Sequence, residues 1–129
     1  MTKYVFNMFT SIKNNQKSKK SSVKVYRKNM CETFLKLLWN EGFISGYRIA
    51  PFDKTKIEIF LKYSNTGTPA VSSIQFVSKP SRRVYLSAKQ IWKLDSSKTF
   101  IIFSTSKGLL SISECKKNKI GGEPLIILN

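Results

Sequence analysis

The side chains best equipped for chemistry are a cluster of hydroxyls. Ser104-Thr-Ser-Lys-Gly108 sets Ser104, Thr105 and Ser106 beside the Lys107 ammonium, on a loop between two apolar runs, with Gly108 allowing a tight turn. As nucleophiles these hydroxyls need a base, and nothing in the chain supplies one. There is no histidine, the side chain most used for proton transfer near neutral pH. Cys31 and Cys115 stand far apart with no CxxC pair, so neither a zinc site nor a disulfide framework is implied. They read as two reduced cysteines, and no phosphate-binding glycine motif is present. No catalytic residue, metal or cofactor is therefore expected. What the hydroxyls can do is donate to phosphate and accept from a ribose 2′-OH, while a compact backbone approaches a sugar edge. The competing reading is turn chemistry, because many hairpins carry Ser, Thr and Gly for that alone.

Two further segments have matching chemistry. Lys79-Pro-Ser-Arg-Arg-Val-Tyr85 brings Lys79, Arg82 and Arg83 together with the Tyr85 ring. Such a ring can stack on an unpaired base, worth about 1–3 kcal/mol in single-strand binders; otherwise Tyr85 is a strand tyrosine packed on its neighbours. Ile120-Gly-Gly-Glu-Pro-Leu125 places Gly121, Gly122 and Glu123 before a terminal apolar strand. It reads either as a simple loop or as backbone in contact with an irregular RNA surface.

Charge narrows the choice of partner. Lys and Arg number 23 against 7 Asp and Glu, a net +16, with a pI near 10.1. A domain so charged repels itself unless a polyanion neutralises it, and each Lys or Arg reaching a phosphate releases condensed counterions. A membrane surface fits less well, since no long apolar span is present and the charges are dispersed. With 41% hydrophobic residues in 129, the chain can bury one core, or two small lobes.

The elements that must position these residues follow from local pattern. Val5, Met8, Phe9 and Ile12 recur at helical spacing within Tyr4–Lys13, and Ser22–Tyr26 alternates as a short strand. Asn29 reads as an N-cap, with Glu32 completing a variant capping box. Met30, Phe34, Leu35, Leu37 and Leu38 make the buried face of that helix, and Gly42 is its left-handed stop. Phe43–Ile49 and Lys56–Tyr63 form an antiparallel pair around the Pro51–Thr55 turn. Ser64–Pro69, a run of turn residues, is the natural boundary between residues 1–66 and 67–129. In the second part, strands are predicted at 73–77, 83–86, 99–104, 108–111 and 123–128, with helical turns at 88–94 and 112–117. The fold class is α+β and two-lobed: helices on a small antiparallel sheet, then a β-rich lobe.

Taken together these segments resemble the bacterial-type family of small-subunit ribosomal protein number eight. The Ser-Thr-Ser-Lys-Gly loop at 104–108 is that family's strongest signature, and the Gly-Gly-Glu turn at 121–123 the second. Val77-Ser-Lys-Pro80 with Arg83-Val-Tyr85, Asn7-Met-Phe-Thr-Ser-Ile-Lys-Asn14 and Glu41-Gly-Phe-Ile44 are similar to other family segments, in the same order along the chain. Asn7, Ser11, Asn15, Ser81 and the Asp95–Lys98 turn depart from the family pattern, and Pro124 removes a backbone donor.

The resemblance implies a non-enzymatic scaffold whose C-terminal lobe grips a stem in the central domain of the small-subunit ribosomal RNA, beside neighbouring small-subunit ribosomal proteins. No small-molecule substrate and no membrane partner are expected. Ser104, Thr105, Ser106 and Lys107 would donate to sugar and base edges, and Tyr85 would pack or stack beside them. Gly108, Gly121, Gly122 and Glu123 would shape the surface. Thr10, Lys13, Lys79, Arg82 and Arg83 would contact the backbone of the RNA. The alternative is a basic RNA-binding module outside the ribosome, or a regulator of translation at the RNA level. The basic, acid-free start of the chain also resembles a mitochondrial presequence. As the first helix of the fold it would leave no room for one. A chain made where it works, rich in Lys, Asn, Ile, Phe and Ser, points to a mitochondrially encoded member acting in the matrix; a bacterium or plastid is the alternative.

Overall fold

Val5, Met8, Phe9 and Ile12 form the buried stripe of α1 (Lys3–Lys17) in the computed structural model of the chain, which describes residues 3–77, 83–95 and 99–128. The amphipathic N-terminal segment is thus part of a folded core. Gln16, also buried, ties the end of this helix to the Lys62 carbonyl at 3.2 Å. β1 (Ser22–Tyr26) follows, and Arg27 extends the chain by donating its N–H to the Thr55 carbonyl at 2.8 Å.

α2 (Asn29–Asn40) departs from expectation at its start. Asn29 is not the N-cap; Lys28 is, with extended φ and ψ of −135° and 146° and no side-chain capping bond. The Asn29 carbonyl already accepts from the Thr33 hydroxyl inside the helix, and Glu32 pairs with Arg27 at 3.7 Å instead of closing a capping box. Tertiary contact decides the boundary, because the Lys28 ammonium lies 4.5 Å from the Tyr4 ring centroid. One turn of the stripe shifts too. Cys31, Phe34, Leu35 and Leu38 are buried, whereas Met30 is exposed and Leu37 half-buried, because the 31, 34, 35, 38 spacing faces the core most squarely. Phe34 meets Phe9 edge-on at 5.4 Å between centroids, a geometry worth about 0.5–1.5 kcal/mol beyond its buried area. At the other end Gly42 adopts φ 80°, with Phe43 N–H bonded to Leu38 and Gly42 N–H to Trp39, the paired bonds of a Schellman stop.

β2 (Ile44–Ile49) and β3 (Lys56–Leu61) then pair antiparallel, and β1 joins the other edge of β3. Ile57, Ile59 and Leu61 of β3 are buried on one face, while Glu58 on the other pairs with Arg48 at 2.9 Å. This is the alternation of a sheet covered on one side. Residues 64–69 fold back on this first unit: Tyr63 bridges Pro69, and Ala70 N–H bonds the Lys62 carbonyl. The two compact units of the chain part between Ser72 and Ser73.

The second unit is a sheet of β4 (Ile74–Phe76), β5 (Phe100–Thr105), β6 (Gly108–Ser111) and β7 (Glu123–Leu128), with α3 (Ala88–Trp92) and α4 (Ile112–Asn118). The order β4-β7-β5-β6 is antiparallel throughout. Ile91, Ile101, Phe103, Ile112 and Cys115 form its core, with Leu86, Leu94, Leu110 and Ile127 packed around them. Both helices are capped by serines: Ser87 with Gln90 in a full capping box, and Ser111 accepting from the Glu114 N–H. The strand predicted at 83–86 does not form. Both edges of β7 are taken by β4 and β5, and this segment meets the sheet at an isolated bridge between Leu86 and Gly122, just ahead of that strand. Pro124, which has no N–H to give, sits at a register shift where Ile102 faces Ile126 and Phe103 faces Pro124.

Candidate nucleic-acid interface

One end of the second sheet gathers the hydroxyl turn, the glycine pair and Tyr85. β5 ends at Thr105 and β6 begins at its partner Gly108, leaving Ser106 and Lys107 as the turn. Gly108 has φ 100°, in the region L side chains avoid. Ser104 faces Glu123 across the β5–β7 ladder. Gly122 and Leu86 exchange two backbone hydrogen bonds of 2.9 Å, which brings Tyr85 alongside.

Close approach explains the glycines. A Cβ on Gly121 would lie 2.6 Å from the Leu86 carbonyl oxygen and 2.9 Å from the Tyr85 hydroxyl oxygen. On Gly122 it would lie 2.8 Å from both the Ser104 carbonyl oxygen and Thr105 Cγ2. Any other residue at either place would force the 85–87 stretch or the end of β5 outward.

The hydroxyls divide into two kinds. Thr105 Oγ1 donates to the Gly108 carbonyl at 2.8 Å and accepts the Lys107 N–H at 3.1 Å, so it is committed to the turn. Ser104 and Ser106 are exposed and their hydroxyls have no partner among the described residues. Lys107 and Arg83 are exposed as well, and neither joins an ion pair among the described residues. Tyr85 is 70% exposed, so its ring is not packed as a strand tyrosine would be. The arrangement presents hydroxyls without a partner among the described residues, a cation and an exposed aromatic ring at one end of a sheet, which is what recognition of an irregular RNA surface uses.

Not every predicted residue lies in this cluster. Thr10 and Lys13 belong to α1 of the first unit, where the Thr10 hydroxyl donates to the Phe6 carbonyl at 2.9 Å and Lys13 is exposed. Lys79 and Arg82 lie outside the described residues. The structure adds Leu86 and Ser87, whose backbone forms one wall of the glycine cradle. No side-chain chemistry in the sequence marks that wall, because its role is carried by main-chain atoms.

Both cysteines are buried and free. Burial pushes the Cys115 thiol up to about 11, with the Glu114 charge adding to it. Burial also raises the Cys31 thiol, opposed by Lys28 and helped by Glu32. Such thiols are poor nucleophiles. Among the described residues no group of His, Cys, Asp and Glu could hold a metal ion, and no helix is long and apolar enough to cross a membrane.

Comparison with known proteins shows a family along nearly the whole chain. The family model described as ribosomal protein S8 matches residues 4–128. The chain is 42% identical over 120 residues to the small ribosomal subunit protein uS8 of Mesorhizobium japonicum, covering 92% of this chain and 90% of that protein. It is 38% identical to uS8 of Shewanella denitrificans, with 92% and 91% covered. It is also 38% identical to the small ribosomal subunit protein uS8m of Acanthamoeba castellanii, with 95% and 96% covered. The chain belongs to the ribosomal protein S8 family. Proteins of that family are structural components of the ribosome, and this chain is not an enzyme.

Proposed function

We propose that this protein takes a structural place in the small ribosomal subunit by gripping a stem in the central domain of the small-subunit ribosomal RNA, with its C-terminal lobe, the unit from Ser73 onward, as the RNA-binding part. The observation that carries the reading is the pair of exposed hydroxyls, Ser104 and Ser106, which have no partner among the described residues and stand beside Lys107, Tyr85 and the Gly121–Gly122 cradle. In this reading Ser104, Ser106 and Lys107 donate to sugar and base edges at a locally unpaired site. Thr105 and Gly108 set the turn, and Glu123 holds the register opposite Ser104. Tyr85 stacks on a base. Arg83, Lys79, Arg82, Lys13 and Thr10 position the RNA backbone through charge and hydrogen bonds and carry little sequence information. The mechanism is scaffolding: the RNA is held in a shape that neighbouring ribosomal proteins can join, and no bond is made or broken.

Replacing Ser104 and Ser106 together by Ala tests the reading. Cognate RNA binding should weaken by roughly 1–3 kcal/mol, with circular dichroism unchanged and random duplex bound as before. Equal losses for cognate and random RNA would overturn it. The proposed site of action is the mitochondrial matrix. A composition rich in Lys, Asn, Ile, Phe and Ser supports this, as does the similarity to the Acanthamoeba uS8m. The bacterial relatives are as similar, so mass spectrometry of purified mitochondrial small subunits is the deciding test. Recovery from bacterial ribosomes instead would refute it.

A further inference from the structure

We propose that a second RNA contact lies on the helical side of the second unit, where an unpaired nucleotide stacks on Trp92 with its phosphates against Lys89 and Lys119. The proposal rests on the reading that RNA is this protein's partner, but it concerns a pocket whose lining includes none of the hydroxyl-turn residues. Ile91 is fully buried and anchors α3, yet the next residue, Trp92, is 63% exposed. Trp92 and Tyr85 are the large apolar side chains that the described part of the second unit leaves exposed. Tyr85 belongs to the turn cluster, and Trp92 has no role there.

Trp92 borders an open pocket of about 290 Å³ lined also by Ala88, Lys89, Lys116 and Lys119. Its lining carries three ammonium groups and no acid. Lys116 donates to the Leu94 carbonyl, which ties α4 to the end of α3 and fixes one wall. Lys89 and Lys119 are exposed and make no ion pair among the described residues. Lys119 holds the left-handed C-cap of α4 at φ 55°, a position glycine fills more easily.

In the first unit, lysines cover exposed rings: Lys28 lies 4.5 Å from the Tyr4 centroid and Lys56 5.5 Å from that of Tyr26. Among the described residues no cation or ring stacks on Trp92, although three lysines surround it. A planar apolar face ringed by cations suits a ligand that is itself planar, apolar on its faces and anionic at its edge. A nucleotide has that chemistry, and only an unpaired one can lay its base flat on the ring. An acidic peptide would satisfy the lysines but would leave the ring's stacking capacity unused.

The test uses the full chain carrying Trp39→Phe, which leaves Trp92 as the sole indole of the two in the sequence. A short oligoadenylate, a blunt central-domain stem and a polyglutamate peptide are titrated in turn. Trp92 emission is read alongside the anisotropy of the labelled probe. Oligoadenylate should quench Trp92 as it binds. Trp92→Ala should lower oligoadenylate affinity about tenfold and leave stem affinity unchanged, whereas Trp92→Phe, which keeps a ring, should retain most of it. Lys89→Gln with Lys119→Gln should flatten the salt dependence of oligoadenylate binding. If the stem binds while oligoadenylate leaves Trp92 emission unchanged, this inference is overturned and the reading of the hydroxyl turn stands. If polyglutamate quenches and RNA does not, the occupant is an acidic protein segment and the inference is equally overturned. If no RNA binds at all, both fall together.

Discussion

Gly122→Ala is the substitution whose consequence the geometry defines most sharply. Gly122 is buried, and its φ is not among the positive values, so alanine is acceptable to the backbone itself. The new methyl, however, would sit 2.8 Å from both the Ser104 carbonyl oxygen and Thr105 Cγ2. Relief requires the end of β5 to move away, or the Leu86–Gly122 pair to open. Overpacking of this kind costs about 1–3 kcal/mol. Losing the two bonds to Leu86 costs about 1 kcal/mol each. The reduced entropy of the unfolded chain returns about 0.4–1 kcal/mol. Movement of β5 carries the first cost and opening of the pair the second, so the expected net loss by either route is about 1–2 kcal/mol, tolerable for a domain of ordinary stability. Gly108→Ala is the contrast: a Cβ there meets nothing within 4 Å, but φ is 100°, so the loss of about 1–2 kcal/mol comes from the backbone alone. Urea denaturation in the Trp39→Phe background, followed by Trp92 emission, reads the second unit directly. A midpoint shift at constant slope gives the free energy. A Gly122→Ala protein within about 0.5 kcal/mol of its parent would refute the close-approach argument.

Three further outcomes follow from the same structure. Arg83→Gln should weaken every RNA alike and reduce the salt slope by about one phosphate contact; a loss confined to the cognate stem would show that Arg83 reads rather than anchors. Ser87→Ala removes the capping box on α3 and should cost about 1 kcal/mol in urea denaturation, with no loss expected if the bonds to Gln90 are idle. Cys115 is an acid whose folded pKa, about 11, exceeds its ordinary 9.0. The folded state therefore holds the proton more tightly, and the contribution is fully present below pH 9.0 and lost as pH rises towards 11. The stability difference between the parent and Cys115→Ala should accordingly change across that window and be flat below it; a flat difference throughout would contradict the buried neutral thiol.

Much of this was legible where one local signal acts alone. Ile57, Ile59 and Leu61 alternate without interruption, and they are the buried face of β3. Gly42 stops α2 as a left-handed glycine should, and Ser22–Tyr26, Gly108–Ser111 and Glu123–Leu128 form strands at the expected residues. Legibility failed where tertiary contact outweighed a local preference. Asn29 is a better cap than Lys28, yet the strand exit at Arg27 and the Lys28–Tyr4 contact start the helix earlier. Arg83–Leu86 has strand-like residues but meets a strand with both edges occupied. The Ser87–Gln90 capping box that starts α3 went unread, although Ser-x-x-Gln is its local signature. At the candidate site the residue types named Ser104–Gly108, Tyr85 and the Gly121–Gly122 pair, which the structure brings to one end of the second sheet. The division between Thr105, whose hydroxyl closes the turn, and Ser104 and Ser106, whose hydroxyls have no partner among the described residues, depends on register and lies beyond composition.

The central claim is that this basic protein reads one RNA rather than any RNA. Its most direct test is the affinity of the purified chain for its own small-subunit RNA central domain, measured across a salt series with random duplex as competitor. The account predicts a specificity ratio of about a thousandfold or more that survives at physiological salt, since the free hydroxyls and Tyr85 act without counterion release. Equal affinities for both RNAs, falling together and steeply with salt, would contradict it.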